Sequence, residues 1–391
     1  RATVAPIEAL TQRISKIFVP TIIILSILTG AIWLLQGEPK GLLFAINVLV
    51  IACPCALGLA TPLAVIAATG TGAKQGLLIK KAAALQHALD IKYALLDKTG
   101  TLTMGKPVVT GIKWQNEAHA SVLMGLNAKG NHPLNTALKH YLGEGKEAVV
   151  KRFKAIPGKG IQGKVDGELY YLGSTTWYKE VTGGSWPEPK KTTSLLFTAN
   201  AVLATIVFED ILRPESKGLM DRLKQLGIVP VILSGDSGGA VAKIAFELGI
   251  SEYQGGLLPM DKENWVTKYN ERGKTLFIGD GINDTAALTR AAVGVSLADG
   301  TSAAQENSDV VFMHDGLNQL DAYFKLAKVT MLTIKGNLWW AFGYNIIAIP
   351  LAAGVLYPTF GISLTPMMAS IAMSISSLGV VLNSMLLKKR V

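Results

Sequence analysis

Cysteine is almost missing from this chain: its 391 residues include two, Cys53 and Cys55, with only Pro54 between them. No disulfide framework can be assembled from so close a pair, which excludes the small cross-linked secreted scaffolds and fits a reducing compartment. Charge is also thin, at 17% of residues, while the mean hydropathy is positive; that balance points to membrane segments. The formal charge of +10 is not carried by a basic patch interleaved with aromatics, so nucleic acid is excluded as a partner; bases beside membrane helices account for it. No secretory signal is expected ahead of the first apolar stretch, which starts after a polar, basic lead of Arg1, Arg13 and Lys16.

What the chain has instead is long apolar runs, at 17–35, 42–68, 338–357 and 362–387. Each is long enough to span a bilayer and lacks a polar face, so the alternative of buried helices in a soluble protein is weak. Four transmembrane helices in two hairpins are expected. Arg13, Lys16, Lys74, Lys80, Lys81, the lysines of 325–335 and Lys388-Lys389-Arg390 fall on one side, whereas the first connecting loop holds only Glu38 and Lys40. By the positive-inside rule both termini and the central region are cytosolic, and the lipid bilayer is a partner.

The central region alternates apolar strand-like runs with helical patterns, which implies a parallel, doubly wound sheet. One run, 93–96, stops at Asp97-Lys98-Thr99-Gly100-Thr101-Leu102-Thr103; another, 229–233, stops at Ser234-Gly235-Asp236; a third, 275–278, stops at Gly279-Asp280-Gly281-Ile282-Asn283-Asp284. Ligands bind outside the carboxyl ends of such strands, so these motifs share one edge. Asp97 there can act as a nucleophile toward a phosphoryl group, forming an aspartyl-phosphate. Thr99 and the N–H groups around Gly100 would hold phosphate oxygens. Asp280 beside Asp97 would hold Mg2+, Ser234 can donate to the phosphate, and Lys262 can supply positive charge. The plainer alternative for each residue alone is a strand exit or a solvated cap.

The heptad from Asp97 to Thr103 resembles the phosphorylation motif of P-type ATPases, and the full set resembles the haloacid-dehalogenase phosphotransferase core they share. That resemblance implies catalytic roles for Asp97, Lys98, Thr99, Ser234, Gly235, Asp236, Lys262, Asn283 and Asp284, with Mg2+ held by Asp97, Thr99, Asp280 and Asp284. Residues 106–207 change pattern to a helical pair followed by short strands and are expected to form an inserted α+β nucleotide-binding domain. The phosphorylation domain is then 74–105 with 208–328, and the membrane hairpins are 1–73 and 329–391. Asn131-His132-Pro133-Leu134 resembles the Ser-Glu-His-Pro-Leu motif of the heavy-metal members, and Pro157-Gly158-Lys159-Gly160 their glycine pair. His132, Pro133, Gly158 and Gly160 would therefore bind ATP. This chain departs from the family at Asn131 and at Ser174, which stand where the family has Glu and Asn.

Cys53-Pro54-Cys55 lies within an apolar run, where proline removes a donor and opens the helix; two thiolates there make a soft site for Cu(I), or for Zn2+. Tyr344-Asn345 and Met373-Ser374-Ile375-Ser376-Ser377 resemble signatures of the copper subclass. Cys53, Cys55, Tyr344, Asn345, Met373, Ser374 and Ser377 are the implied copper ligands. The resemblance implies an ATP-driven Cu(I) exporter in a bacterial inner membrane, supplied in some cells by a soluble copper chaperone. The family's Thr-Gly-Glu, carried by an actuator domain, occurs nowhere in the sequence. The chain is accordingly expected to be the carboxyl-terminal half of such a pump, incomplete for turnover, with the actuator half as its missing partner. The rivals are a Zn2+ or Cd2+ pump with the same core, and a non-pumping metal-binding or regulatory protein whose ATPase core has decayed.

Overall fold

The computed structural model describes residues 6–187, 191–236, 238–314 and 316–391; Arg1 of the basic lead lies outside them. Strand Ile91–Leu96 sits inside a seven-stranded sheet, flanked by Lys274–Ile278 and Val229–Leu233, both parallel to it. Alternation along these strands feeds two cores. Ala94, Leu96, Ile232, Leu276 and Ile278 join one cluster, covered by Ser216–Gln225 and Gly238–Leu248. Leu95, Val231, Leu233 and Phe277 join the other, covered by Pro259–Arg272 and Thr285–Arg290. Burial on both faces is what a parallel, doubly wound sheet requires of its strands.

Val293–Leu297 and Val310–Phe312 continue the sheet in parallel, Leu77–Ile79 closes that edge antiparallel, and Glu252–Gln254 forms the other edge. Leu96 pairs with both Ile278 and Ile232. The three motif-bearing strands therefore end level with one another.

A second, six-stranded antiparallel sheet is inserted after the Asp97 loop, in the order Thr103–Trp114, Val202–Leu212, Thr192–Phe197, Glu168–Ser174, Gly160–Val165, Lys151–Ile156. The sequence reading opens this unit with a helical pair, whereas the structure opens it with the twelve-residue strand Thr103–Trp114. Gly105, Pro107 and Gly111 break the alternation that would announce a strand, and register shifts fall at those places. The expected helices follow, as Ala120–Asn127 and Pro133–Leu142.

Five long helices carry the apolar runs: α1 (Pro6–Leu35), α2 (Gly41–Ile51), α3 (Cys55–Lys74), α4 (Gln319–Ala352) and α5 (Pro366–Arg390). Three stretches among the described residues are long and apolar enough to cross a membrane: Arg13–Leu35, Gly41–Lys74 and Pro366–Arg390. The run expected as one helix over 42–68 is broken, with α2 ending at Ile51 and α3 starting at Cys55, because Pro54 cannot donate to the helix ladder. The run expected over 338–357 occupies the second half of α4 but stops at Ala352, and Tyr357 begins a separate short helix. Tyr344 and Asn345 lower the hydropathy of that run, and the first half of α4 is continuous with the core of the seven-stranded sheet: Tyr323, Leu326 and Ala327 pack with Leu96 and Ile278.

Candidate functional site

Asp97 leaves its strand with its N–H donated to the Ile278 carbonyl at 2.9 Å, which fixes the carboxylate at the sheet edge. Lys262, on the helix Pro259–Arg272, reaches back to it. Its ammonium donates to Asp97 Oδ1 at 2.5 Å and to Asp284 Oδ1 at 2.7 Å, and all three side chains are buried. Oxygens of Asp97, Asp280 and Asp284 lie within 4.8 Å of one another.

Burial pushes the Asp97 carboxyl up to about 7, with the Asp284 charge adding and Lys262 opposing. Burial likewise raises Asp280, to about 6, with Asp284 adding and Arg213 opposing. For Lys262 burial acts to lower the pKa, but the Asp97 and Asp284 carboxylates outweigh it and the net shift is upward. An excess of buried carboxylate over ammonium is the electrostatic setting for a cation. Three hard oxygen donors at this spacing fit Mg2+.

Ser234 is buried and accepts from the Asp236 N–H at 3.2 Å. Asp236 in turn pairs with Lys98 and accepts from Thr99 Oγ1 at 3.3 Å. Thus Asp97, Lys98, Thr99, Ser234, Asp236, Lys262, Asp280 and Asp284 come together, with exposed Gly235 between Ser234 and Asp236. Asn283 does not join them: its side chain is exposed, and Asp284 alone of that pair turns inward, also accepting from the Gly281 N–H at 3.2 Å.

Sequence reasoning missed the residues that hold the motif loop from outside. Thr103 Oγ1 donates to Asp210 Oδ2 at 2.5 Å and also lies 3.0 Å from the Lys98 carbonyl. The Arg213 guanidinium donates to the Gly100 and Thr103 carbonyls at 2.9 and 3.2 Å, and buried Ser216 donates to the Leu102 carbonyl at 2.7 Å. Asp210, Arg213 and Ser216 lie more than a hundred residues from the loop, and no local pattern links them to it. The one signal was the charged pair Asp210 and Arg213 bracketing an apolar strand end.

In the inserted unit, a cleft of about 660 Å³ is lined by Asn131, His132, Gly158, Gly160, Gly173 and Ser174, among others. Gly160 is forced by close approach: a Cβ there would come within 2.3 Å of the Leu172 carbonyl oxygen, at φ +148°. Three residues here also have structural roles. Exposed His132 caps helix Pro133–Leu142, its Nδ1 accepting from the Leu134 N–H at 3.3 Å. Pro133 is the first residue of that helix and does not line the cleft, as suits a residue with fixed φ and no N–H. Ser174 caps the helix Thr175–Thr182 by accepting from the Trp177 N–H at 3.2 Å.

Between the membrane helices, Cys53, Tyr344, Asn345, Met373, Ser376 and Ser377 line a void of about 10 Å³, room for one small occupant. The oxygens Tyr344 Oη, Asn345 Oδ1 and Ser376 Oγ are buried there without hydrogen-bond partners. Orphaned acceptors in a dry bundle are costly, and a bound cation would satisfy them. Ser376 was not among the expected ligands; its position within the Met-Ser-x-Ser-Ser stretch was the available signal. Ser374, which was, is exposed and donates to the Ser370 carbonyl at 2.9 Å. A helix turns about 100° per residue, which carries Ser374 off the face shared by Met373, Ser376 and Ser377. The expected free thiolates are also corrected: the structure joins Cys53 and Cys55 in a disulfide across Pro54, with their Cα atoms 5.4 Å apart. Metal binding by both sulfurs requires the reduced pair.

Residues 91–292 match the haloacid dehalogenase-like hydrolase family. The chain is 37% identical over 98% of its length to a copper-exporting P-type ATPase of Legionella pneumophila, of which it covers 55%. The crystal structure of a zinc-transporting PIB-type ATPase in its E2.Pi state matches with a TM-score of 0.77 at 30% identity, over 96% of this chain and 63% of that one. The catalytic domain of the CPx-ATPase CopB-B, solved to follow conformational changes upon nucleotide binding, matches at TM-score 0.55 and 28% identity, over 67% of this chain and 97% of that domain. The chain spans about half the length of the curated relatives it matches. It belongs to the haloacid dehalogenase-like hydrolase family, and along essentially its whole length it is a homologue of the copper-exporting P-type ATPases.

Proposed function

We propose that this chain is the phosphorylation, nucleotide-binding and ion-binding part of an integral-membrane, Cu(I)-exporting P-type ATPase. The observation that carries the reading is the buried Lys262 ammonium bridging Asp97 and Asp284 beside Asp280, an arrangement suited to an in-line phosphoryl transfer. An Asp97 oxygen would attack the γ-phosphorus of ATP; the new O–P bond forms as the bond to the ADP oxygen breaks, and ADP leaves. Lys262 would neutralise charge spreading onto the phosphoryl oxygens, and Thr99 and Ser234 would donate to them. Asp97, Asp280 and Asp284 would hold Mg2+, which supplies charge neutralisation when bound. Water then hydrolyses the aspartyl-phosphate to free carboxylate and phosphate.

The inserted unit, 106–207, would hold the nucleotide in the cleft between His132 and the Gly158–Gly160 turn. The similarity to a domain studied for nucleotide-driven conformational change supports that role. Cys53 with Met373 and the orphaned oxygens around the void would hold the transported ion, joined on reduction by Cys55, which is exposed and outside the void's lining in the disulfide form. Soft sulfur donors favour Cu(I), and among the described residues no carboxylate or lysine lines that void, which argues the same way. The zinc-transporting structural neighbour supports the second reading, a Zn2+ pump with the same core. The termini and both catalytic units would be cytosolic, with a soluble copper chaperone and an actuator-bearing half as partners.

The test is to reduce the detergent-solubilised chain and alkylate Cys53 and Cys55 in the presence of Cu(I) or Zn2+. Protection by Cu(I) and not by Zn2+ at equal free concentration is expected. Protection by Zn2+ alone would move the assignment to the zinc branch.

A further inference from the structure

The membrane helices are joined by a polar crossing that the ion void and the phosphorylation edge do not include. Asn337 of α4 is 1% exposed. Its amide nitrogen donates to the Ala60 carbonyl of α3 and to Ser384 Oγ of α5, both at 3.0 Å, and its Oδ1 accepts from Asn383 of α5 at 2.8 Å. Both amide hydrogens and an acceptor site are thus engaged, and three helices meet at one side chain. Ser384 is held in turn by the Val380 carbonyl at 2.8 Å, and Asn383 accepts from Arg390 at 3.1 Å.

The crossing lies between two things that must communicate. On one side, Asn337 stands seven residues before Tyr344, about 10 Å along the same helix face, while Ala60 is five residues past Cys55. Ala56, Ala60, Ala341 and Val380 pack between the crossing and the void; such small side chains leave little slack for one helix to shift without the others. On the other side, α4 runs unbroken into the seven-stranded sheet. Tyr323 Oη donates to the Ala84 carbonyl at 2.7 Å, and Gln319 donates to the Gln75 carbonyl at 2.8 Å. The segment between is one rigid helix with no proline or glycine before Gly336.

We infer that Asn337 is a positioning residue that locks α3, α4 and α5 together, so that occupancy of the void between Cys53 and Met373 is conveyed to the edge where Asp97 lies. This rests on the ion-site reading above. An asparagine serving only as intramembrane glue would hold the bundle together, but its removal would weaken ion binding and transmission in step. A coupling joint separates the two.

The experiment uses the full reduced chain in lipid nanodiscs with Cu(I), or Zn2+, as probe. Ion binding is read by protection of Cys53 and Cys55 from alkylation. Transmission is read by the ion-induced change in amide hydrogen exchange over residues 91–102, without ATP. For Asn337→Leu, protection within about threefold of wild type is expected, with an exchange response at least fivefold smaller. Asn383→Ala removes the bond to Oδ1 together with the contacts of Asn383 to Thr333 and Arg390, and leaves the bonds of Asn337 to Ala60 and Ser384 in place; it should keep protection and give an intermediate response, and it decides the matter if Asn337→Leu does not fold. A wild-type response in either variant would overturn the inference, as would parallel loss of protection and response, or a wild type that does not respond to either ion. Because no nucleotide is used, failure to label Asp97 with ATP would sink the proposed pump and leave this result standing.

Discussion

Asp280 fills the space that a side chain at position 100 would need: a Cβ on Gly100 would sit 1.8 Å from Asp280 Oδ2. Gly100 also holds φ +75°, a conformation L side chains avoid. Gly100→Ala is therefore expected to displace either the loop or Asp280. A misplacement of this size costs about 100-fold in phosphoryl transfer. Transfer rates at saturating ATP check this; a loss under threefold would show that the loop tolerates the shift.

Lys262→Met leaves the Asp97 and Asp284 carboxylates facing each other in a buried site. Breaking a buried pair this way costs about 3–5 kcal/mol of folding stability, and losing a charge aimed at the transferring group slows the chemistry by about 100-fold or more. Added Mg2+ should recover much of the stability and little of the rate. Thermal unfolding and single-turnover labelling, each with and without Mg2+, separate the two effects.

The raised carboxyls make stability depend on pH in a definite direction. Asp97 and Asp280 are raised in the fold, to about 7 and about 6, so the folded state binds more protons than the unfolded one. Their contribution is complete below the unfolded value near 4 and is lost as pH climbs through about 6 to about 7. Mg2+ competes with those protons, so its stabilising shift in Tm should grow across the same window. Equal Mg2+ shifts at about pH 5 and about pH 8 would contradict the assignment. Asp280→Asn should flatten the dependence.

Much of this site was legible because strand ends announce themselves. The runs 93–96, 229–233 and 275–278 are short and apolar and each stops at a polar, glycine-containing stretch, which located the sheet edge and its motifs. The supports of the loop were not legible: Arg213 and Asp210 meet Gly100 and Thr103 only because two strands of the inserted sheet, Thr103–Trp114 and Val202–Leu212, pair antiparallel. The first of those strands was itself hidden by Gly105, Pro107 and Gly111. Asn283 and Ser374 face outward for a shared reason. A motif names a segment, while a single turn of helix decides which of its side chains faces inward.

Arg213→Ala removes both hydrogen bonds that restrain the Gly100 and Thr103 carbonyls. Transfer should slow about tenfold with nucleotide affinity unchanged, because the residue grips the loop and does not line the cleft of the inserted unit. A raised Kd for ATP with an unaltered rate would assign Arg213 to binding instead.

Two glycines of the nucleotide cleft make a matched pair. Gly160→Ala meets the Leu172 carbonyl at 2.3 Å, whereas Gly158→Ala meets nothing within 4 Å and suffers only the strain of φ +73°. ATP affinity should fall about tenfold or more for the first and less for the second. Equal losses, measured by direct nucleotide titration, would mean that backbone strain and not cleft shape governs this turn.

The central claim is that Asp97 takes a phosphoryl group from ATP. The most direct test incubates the reduced chain with Mg2+ and γ-labelled ATP, quenches in acid, and counts acid-stable label on wild type and on Asp97→Asn. Label is expected on the wild type, absent from Asp97→Asn and released by hydroxylamine, as an acyl phosphate must be. Label of equal size on both chains, or none on the wild type with nucleotide bound, would contradict that claim.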